Sequence, residues 1–185
     1  MWLAQSTRVR LRRAELADAR FFLALFSQPS SLAGIGNRDL HTVADAERYI
    51  TDRCHQHYDE FGFGMWVVCA HGDGARALAV EPDTPVGVAG IIRRPLLAHP
   101  DLGYAVLDAF SGRGIATEAA AAVCDLADRR YDIETLLAIT TVDNIASQRV
   151  LLHLGFSTDG DVTDEHGTPL RMFRRRGRGH LSAAH

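Results

Sequence analysis

Between Ser111 and Ala127 the chain reads SGRGIATEAAAAVCDLA, two glycines around an arginine set hard against a run of strong helix formers. The first amides of any helix lack intrahelical acceptors, and the aligned peptide dipoles add partial positive charge at that end. A strand that turns through glycine into such a helix is a ready site for phosphate. Gly112 and Gly114 have no β-carbon to obstruct a ligand pressed onto the backbone, and Ala116 and the alanines at 119–122 keep the first turns slim. By spacing alone a plain turn is the competing reading. A second element adds to the first. After one apolar segment comes DNIASQRVLLHLGF, in which Asn144 starts a helix and Ser147, three residues on, shares its face. Asn144 is also a favoured N-cap, which is its structural reading.

Known nucleotide patterns fit poorly. The P-loop ends in Gly-Lys-Ser/Thr, and the chain contains no lysine. The dinucleotide fingerprint puts a third glycine where GRGIAT has Thr117, and it belongs early in a chain. GIGNRD, from Gly34 to Asp39, precedes a loop rather than a helix.

The elements that must position these residues follow from periodicity. TRVRLRRA alternates as a half-buried strand, and ELADARFFLALFSQP is apolar at helical spacing up to Pro29. NRDLHTVADAERYITDRCHQHYDEFG predicts a loop and then a helix, with Thr42 as N-cap, Asp45 three residues on and Gly62 after its end. FGMWVVCA and PVGVAGIIRR read as strands, joined by HGDGARALAVEPDT as an exposed hairpin loop. DLGYAVLDA is a further strand, with Leu102, Tyr104 and Val106 on one face. Ile115, Ala119, Val123 and Leu126 recur at helical intervals, and ETLLAITTV is apolar on both faces, as a buried strand. NIASQRVLLHLGF is a short helix closed by Gly155 with Phe156 folding back, and PLRMFRRR reads as a last strand. The predicted succession is a strand, two helices, three strands and then a β-α-β-α-β run. Two consecutive β-to-α junctions of a parallel pair put both helix starts at one sheet end, where α/β sheets bind ligands.

Composition sets bounds. A chain of 185 residues suits one domain, expected over 1–176, with 177–185 as a disordered tail. The formal charge of -3 argues against a chain built for nucleic acid. Cys54, Cys69 and Cys124 show no zinc or disulfide spacing. CHQH, from Cys54 to His57, has a metal-like look, yet on a helix His55 and His57 point to different faces, so no metal is expected. No segment reads as a signal peptide or membrane span, so the expected location is cytoplasmic, with no membrane partner.

LGYAVLDAFSGRGIATEA and NIASQRVLLHLGF together resemble the GNAT superfamily of acyl-CoA-dependent N-acyltransferases, and most of all its RimJ/RimL-like branch. The likeness runs from RVRLRRAELAD to RMFRR. It implies an α/β (α+β) fold: a mixed, twisted central sheet with two splayed parallel strands and helices on both faces. Acetyl-CoA would lie in the notch, its pyrophosphate on the amides of Gly112, Arg113, Gly114, Ile115, Ala116 and Thr117. Its pantetheine arm would pair around Val106 and Leu107, with Asn144 as a further contact and Ser147 close to the thioester sulfur. One departure stands out: the family's turn opens on Arg or Gln, and here it opens on Ser111.

That chemistry makes three demands. A lysine-like amine is neutral in only about one molecule in two thousand at pH 7, and an α-amine in roughly one in ten. A proton must leave the amine, an oxyanion must be stabilised, and the departing thiolate must be protonated. Relatives often carry an acid before a Gly-Tyr pair, so the DLGY segment makes Asp101 the candidate base, acting directly or through water. Its plain reading is a solvated strand-end acid beside His99. The oxyanion donor would be a backbone amide near Val106. Ser147 is the candidate acid for the thiolate, or a serine bonded only to its own helix. Tyr104 and Trp66 either pack in the core or wall the acceptor pocket. The expected activity is acetyl transfer to a primary amine, on a small molecule or a protein N-terminus, by direct attack in a ternary complex. A homodimer is compatible with it. The alternatives are a non-catalytic acyl-CoA sensor and a purely structural domain.

Overall fold

The computed structural model describes residues 1–36, 38–164 and 167–177. An eight-stranded sheet forms its centre, in the order β1-β2-β3-β4-β5-β6-β8-β7. The chain enters through β1 (Trp2–Gln5) and β2 (Val9–Arg13), then α1 (Ala19–Ser27) and α2 (Pro29–Gly34). Pro29 both ends the first helix and begins the second, since the first helical position needs no N–H. Next come α3 (Val43–Tyr49), a π-helical turn over Ile50–His55 and α4 (Gln56–Phe61). Thr42 caps α3 by accepting from the Asp45 N–H while Asp45 reaches back to the Thr42 N–H, the reciprocal pair its spacing predicts.

β3 (Met65–Ala70) pairs antiparallel with β4 (Pro85–Ile92), as expected of a hairpin. The connection is a correction: it is no exposed loop but holds α5 (Asp73–Leu78), which buries Ala75 and Leu78. β5 (Asp101–Val106) follows, then α6 (Ile115–Arg129), β6 (Thr135–Thr141), α7 (Ile145–His153), β7 (Ser157–Thr163) and β8 (Pro169–Arg176). α6 buries Ile115, Ala119, Val123 and Leu126, the stripe its sequence spells, with Ala120, Cys124 and Ala127 beside it, and packs on β2, β4 and β5. Gly155 takes the left-handed conformation, φ +84°, and the Phe156 N–H closes back on the Leu151 carbonyl. Of the tail expected over 177–185, residues 178–185 lie outside the described residues. Gly177 does not belong to it, because it is buried and its N–H donates to Glu134 O at 2.9 Å.

Candidate active site

β5 leads to the glycine turn. A short 3-10 turn over Asp108–Phe110 carries the chain to Ser111, which is extended, and then Gly112 and Gly114 both take positive φ, +72° and +76°. Gly114 is the residue before α6, and the first helical bond runs from the Glu118 N–H to its carbonyl at 3.1 Å. Between them lies the most informative feature of the turn. The six amides from Gly112 to Thr117 have no hydrogen-bond acceptor among the described residues. The turn from Gly112 to Gly114 is exposed. Consecutive unpaired amides at a helix start are the donor set that a pyrophosphate requires, so the residues fit the group that the sequence implies.

β5 and β6 run parallel but pair at a single position, Asp101 opposite Leu137, where the Leu137 N–H donates to Pro100 O at 2.9 Å. Beyond it the strands part. Register decides which backbone groups face the gap. The Leu107 N–H donates to Val86 O, and β5 pairs antiparallel with β4, Ala105 opposite Val88. In such a ladder the residues that bond one neighbour alternate with those that face the other. Leu102, Tyr104 and Val106 therefore turn their amides and carbonyls toward β6, and past the pairing point no strand meets them. Leu107 differs from Val106. Its N–H is committed to Val86 and its carbonyl accepts from the Phe110 N–H, so only its side chain is left for a ligand. The Val106 carbonyl is occupied too, by Gln28 Nε2 at 2.9 Å, while Gln28 Oε1 accepts the Asp108 N–H. Gln28 pins the end of β5 to the elbow between α1 and α2.

Across the gap stands the start of α7. Asn144 Oδ1 accepts the Ser147 N–H at 3.0 Å, so the cap predicted for Asn144 is present. Its Nδ2 faces Gly34 so closely that a β-carbon there would lie 3.1 Å away. Tyr104 bridges the gap: its Oη is 2.7 Å from Ser147 Oγ and donates to Ser147 O at 3.1 Å. Burial pushes the Tyr104 phenol up to about 12 against the opposing pull of Ser147, so it stays neutral at physiological pH. Ser147 thus bonds across the notch and not to its own helix alone.

Asp101 lies elsewhere. It is 1% exposed, and Arg94 Nε reaches both its oxygens at 3.0 Å. A solvated acid beside His99 is not what the structure shows. Burial pushes the carboxyl above its ordinary value, and Arg94 opposes the shift. Asp101 precedes Tyr104 by three residues, which separates their α-carbons by about 10 Å and turns their side chains to opposite faces. The structure joins Tyr104, Asn144 and Ser147, and leaves Asp101 at the closed end of the notch.

Trp66 is buried and stacks on Tyr131, a core position. His55 Nε2 bonds Ala14 O, and His57 Nε2 accepts the Arg93 N–H. No group of three or more His, Cys, Asp or Glu is placed to hold a metal ion among the described residues. Gln28 escaped the sequence reading, as did Arg8, whose side chain reaches Glu118 and Arg113. Neither position carries a local pattern, because each contact spans about eighty residues or more.

Residues 8–157 match the family model described as an acetyltransferase (GNAT) domain. An acetyltransferase from Agrobacterium tumefaciens superposes with TM-score 0.76 at 22% identity, covering 95% of this chain and 94% of that one. RimL, a ribosomal L7/L12 alpha-N-protein acetyltransferase solved in complex with coenzyme A, gives 0.75 at 17% identity over 96% and 98%. A ribosomal-protein-S5-alanine acetyltransferase from Vibrio fischeri gives 0.73 at 16% identity over 97% and 98%.

Proposed function

The chain belongs to the GNAT family of acetyltransferases and catalyses acetyl-CoA-dependent N-acetyl transfer, and we propose that a primary amine attacks the thioester directly within a ternary complex. The observation that carries this reading is the run of unpaired amides from Gly112 to Thr117, opening on the notch between β5 and β6. Acetyl-CoA supplies an activated acyl carbon and a thiolate leaving group. The amides of the turn hold its pyrophosphate, helped by the α6 dipole. The free Val106 N–H serves the oxyanion, and the backbone of Tyr104 offers the strand edge to the pantetheine arm. Asn144 Nδ2, its oxygen already spent on the cap, keeps two donors for that arm.

Ser147 carries the proton for the departing sulfur. Tyr104 holds the Ser147 hydroxyl in place and, neutral before the reaction, passes its proton to Oγ as Ser147 protonates the thiolate; it regains one from solvent, to which Asp101 releases the proton taken from the amine. Asp101 takes the proton from the amine through water, since it lies at the far end of the strand. The acceptor is a primary amine on a small molecule or a protein N-terminus, the latter favoured by RimL and the S5-alanine enzyme. The domain takes in residues 1–177, Gly177 being held by its bond to Glu134. Cysteines outside any disulfide fit a reducing, cytoplasmic setting. A homodimer is compatible with all of this.

The test is calorimetry with acetyl-CoA, followed by a screen of amines by free-thiol release with mass spectrometry of the products. Micromolar binding and one acetylated amine class are expected; absence of acetyl-CoA binding overturns the reading. Two variants divide the roles of α7. Asn144→Ala raises the Michaelis constant for acetyl-CoA and costs about 1 kcal/mol of stability with the cap. Ser147→Ala lowers turnover at a nearly unchanged Michaelis constant, and a donor with a more acidic thiol partly rescues it. If neither variant differs from the parent, Asn144 is only a cap and Ser147 only a helix serine.

A further inference from the structure

We propose that Arg8, just ahead of β2, is a phosphate-binding residue of this chain, supplying the side chain that the turn lacks at Ser111. The inference rests on the acetyl-CoA site proposed above. The seryl hydroxyl brings no charge to the turn. Arg8 does, from the bend that leads into β2, more than a hundred residues away in sequence. Its Nη1 donates to Arg113 O at 2.9 Å, and a β-carbon on Gly114 would lie 3.1 Å from Nη2. The guanidinium therefore rests directly on the two central residues of the turn. Glu118 fixes it from behind: Oε2 accepts Arg8 Nε at 2.6 Å, and Oε1 accepts the Arg8 N–H at 2.9 Å and the Ser6 hydroxyl at 2.5 Å.

Two consequences follow from this geometry. Five N–H donors sit on a guanidinium, and Nε and one Nη1 donor are spent here. Nη2 has no acceptor among the described residues, and the side chain remains 34% exposed. A held guanidinium loses little freedom when it binds an anion, so its donors are available without the usual ordering cost. The second consequence concerns Glu118. Burial alone would push its carboxyl up, yet the bonds from Ser6 and Arg8 hold it below the ordinary value, so the first turn of α6 carries a full negative charge. Unscreened, that charge would repel phosphate from the free amides; Arg8 cancels it.

The experiment uses Arg8→Gln and, as a control of equal charge change, Arg10→Gln, whose partner is Asp83. Dissociation constants for acetyl-CoA are measured by calorimetry at several salt concentrations. Steady-state kcat/KM is measured with acetyl-pantetheine, which has no pyrophosphate. Arg8→Gln weakens acetyl-CoA roughly ten- to a hundredfold, the range of a lost charge-assisted bond. It also flattens the salt dependence and leaves acetyl-pantetheine unaffected, and Arg10→Gln changes none of these. Adding Glu118→Gln to Arg8→Gln recovers part of the loss by removing the unscreened charge. Equal losses with both donors, or no loss with either, overturn the proposal. If Arg8→Gln does not fold, Arg8→Lys keeps the charge but not the fork, and the same contrast between donors decides. A parent protein that binds no acetyl-CoA refutes the proposed function instead.

Discussion

Asp101→Asn lowers turnover by roughly 10²- to 10⁴-fold and leaves the affinity for acetyl-CoA intact. The asparagine keeps the size of the carboxylate and an oxygen for Arg94 Nε, so little repacking is expected, but it cannot take a proton. The pH profile adds a second signature. Burial raises the Asp101 carboxyl above its ordinary value, so in the parent the acidic limb of kcat/KM lies above the usual carboxylate range. Activity there rises with pH as Asp101 ionises, and the limb disappears in the variant. Stability has the opposite sign. A carboxyl with a raised folded pKa binds its proton more tightly folded than unfolded, so it costs stability as pH rises from the unfolded pKa through the folded one. Denaturant melts across that window should show this decline in the parent and not in Asp101→Asn. If turnover falls less than a few-fold, Asp101 is a buried anchor for Arg94, and the amine arrives neutral or yields its proton to another group.

Gly114→Val weakens acetyl-CoA binding by at least a hundredfold and is expected to destabilise the free protein as well. In the sequence Gly114 counts only for its missing β-carbon; the structure adds a backbone conformation that a side chain strains. At φ +76° any side chain is strained, a β-branched one most of all. The added methyls would also displace Arg8 Nη2. Gly112→Ala separates these effects, because Gly112 shares the positive φ at +72° but a β-carbon there meets nothing within 4 Å. The expected result is a modest loss of stability in both variants, about 1–2 kcal/mol from backbone strain. The large loss of affinity belongs to Gly114→Val. An unchanged dissociation constant for folded Gly114→Val rules out the turn as the cofactor site.

Sequence carried the strongly patterned elements and missed the quiet ones. α6, β6 and the Thr42 cap were legible because apolar spacing and capping chemistry are local. β7 was not, since STDGDVT offers no alternation: an edge strand with both faces largely exposed needs none. β1 and α5 are too short for a period to show. At the site, the turn and the start of α7 were readable as types of residue at a spacing. The bond between Tyr104 and Ser147 was not, because it depends on two strands diverging by a set amount. The same holds for Asp101, whose sequence position says strand start but not that it lies buried beside a neighbouring arginine and the β6 backbone.

The parted strands also bear on mechanics. With one registered pair between β5 and β6, the sheet is two plates joined at a seam, β1 to β5 on one side and β6 to β8 on the other. A ligand that bonds the facing edge of β5 and the start of α7 acts as a splice across that seam. Amide exchange at Tyr104 and Val106 should slow far more on adding coenzyme A than exchange in β3, which has a paired strand on both sides. The cosubstrate would then complete the sheet as well as feed the reaction, and an emptied enzyme would be the more pliable one.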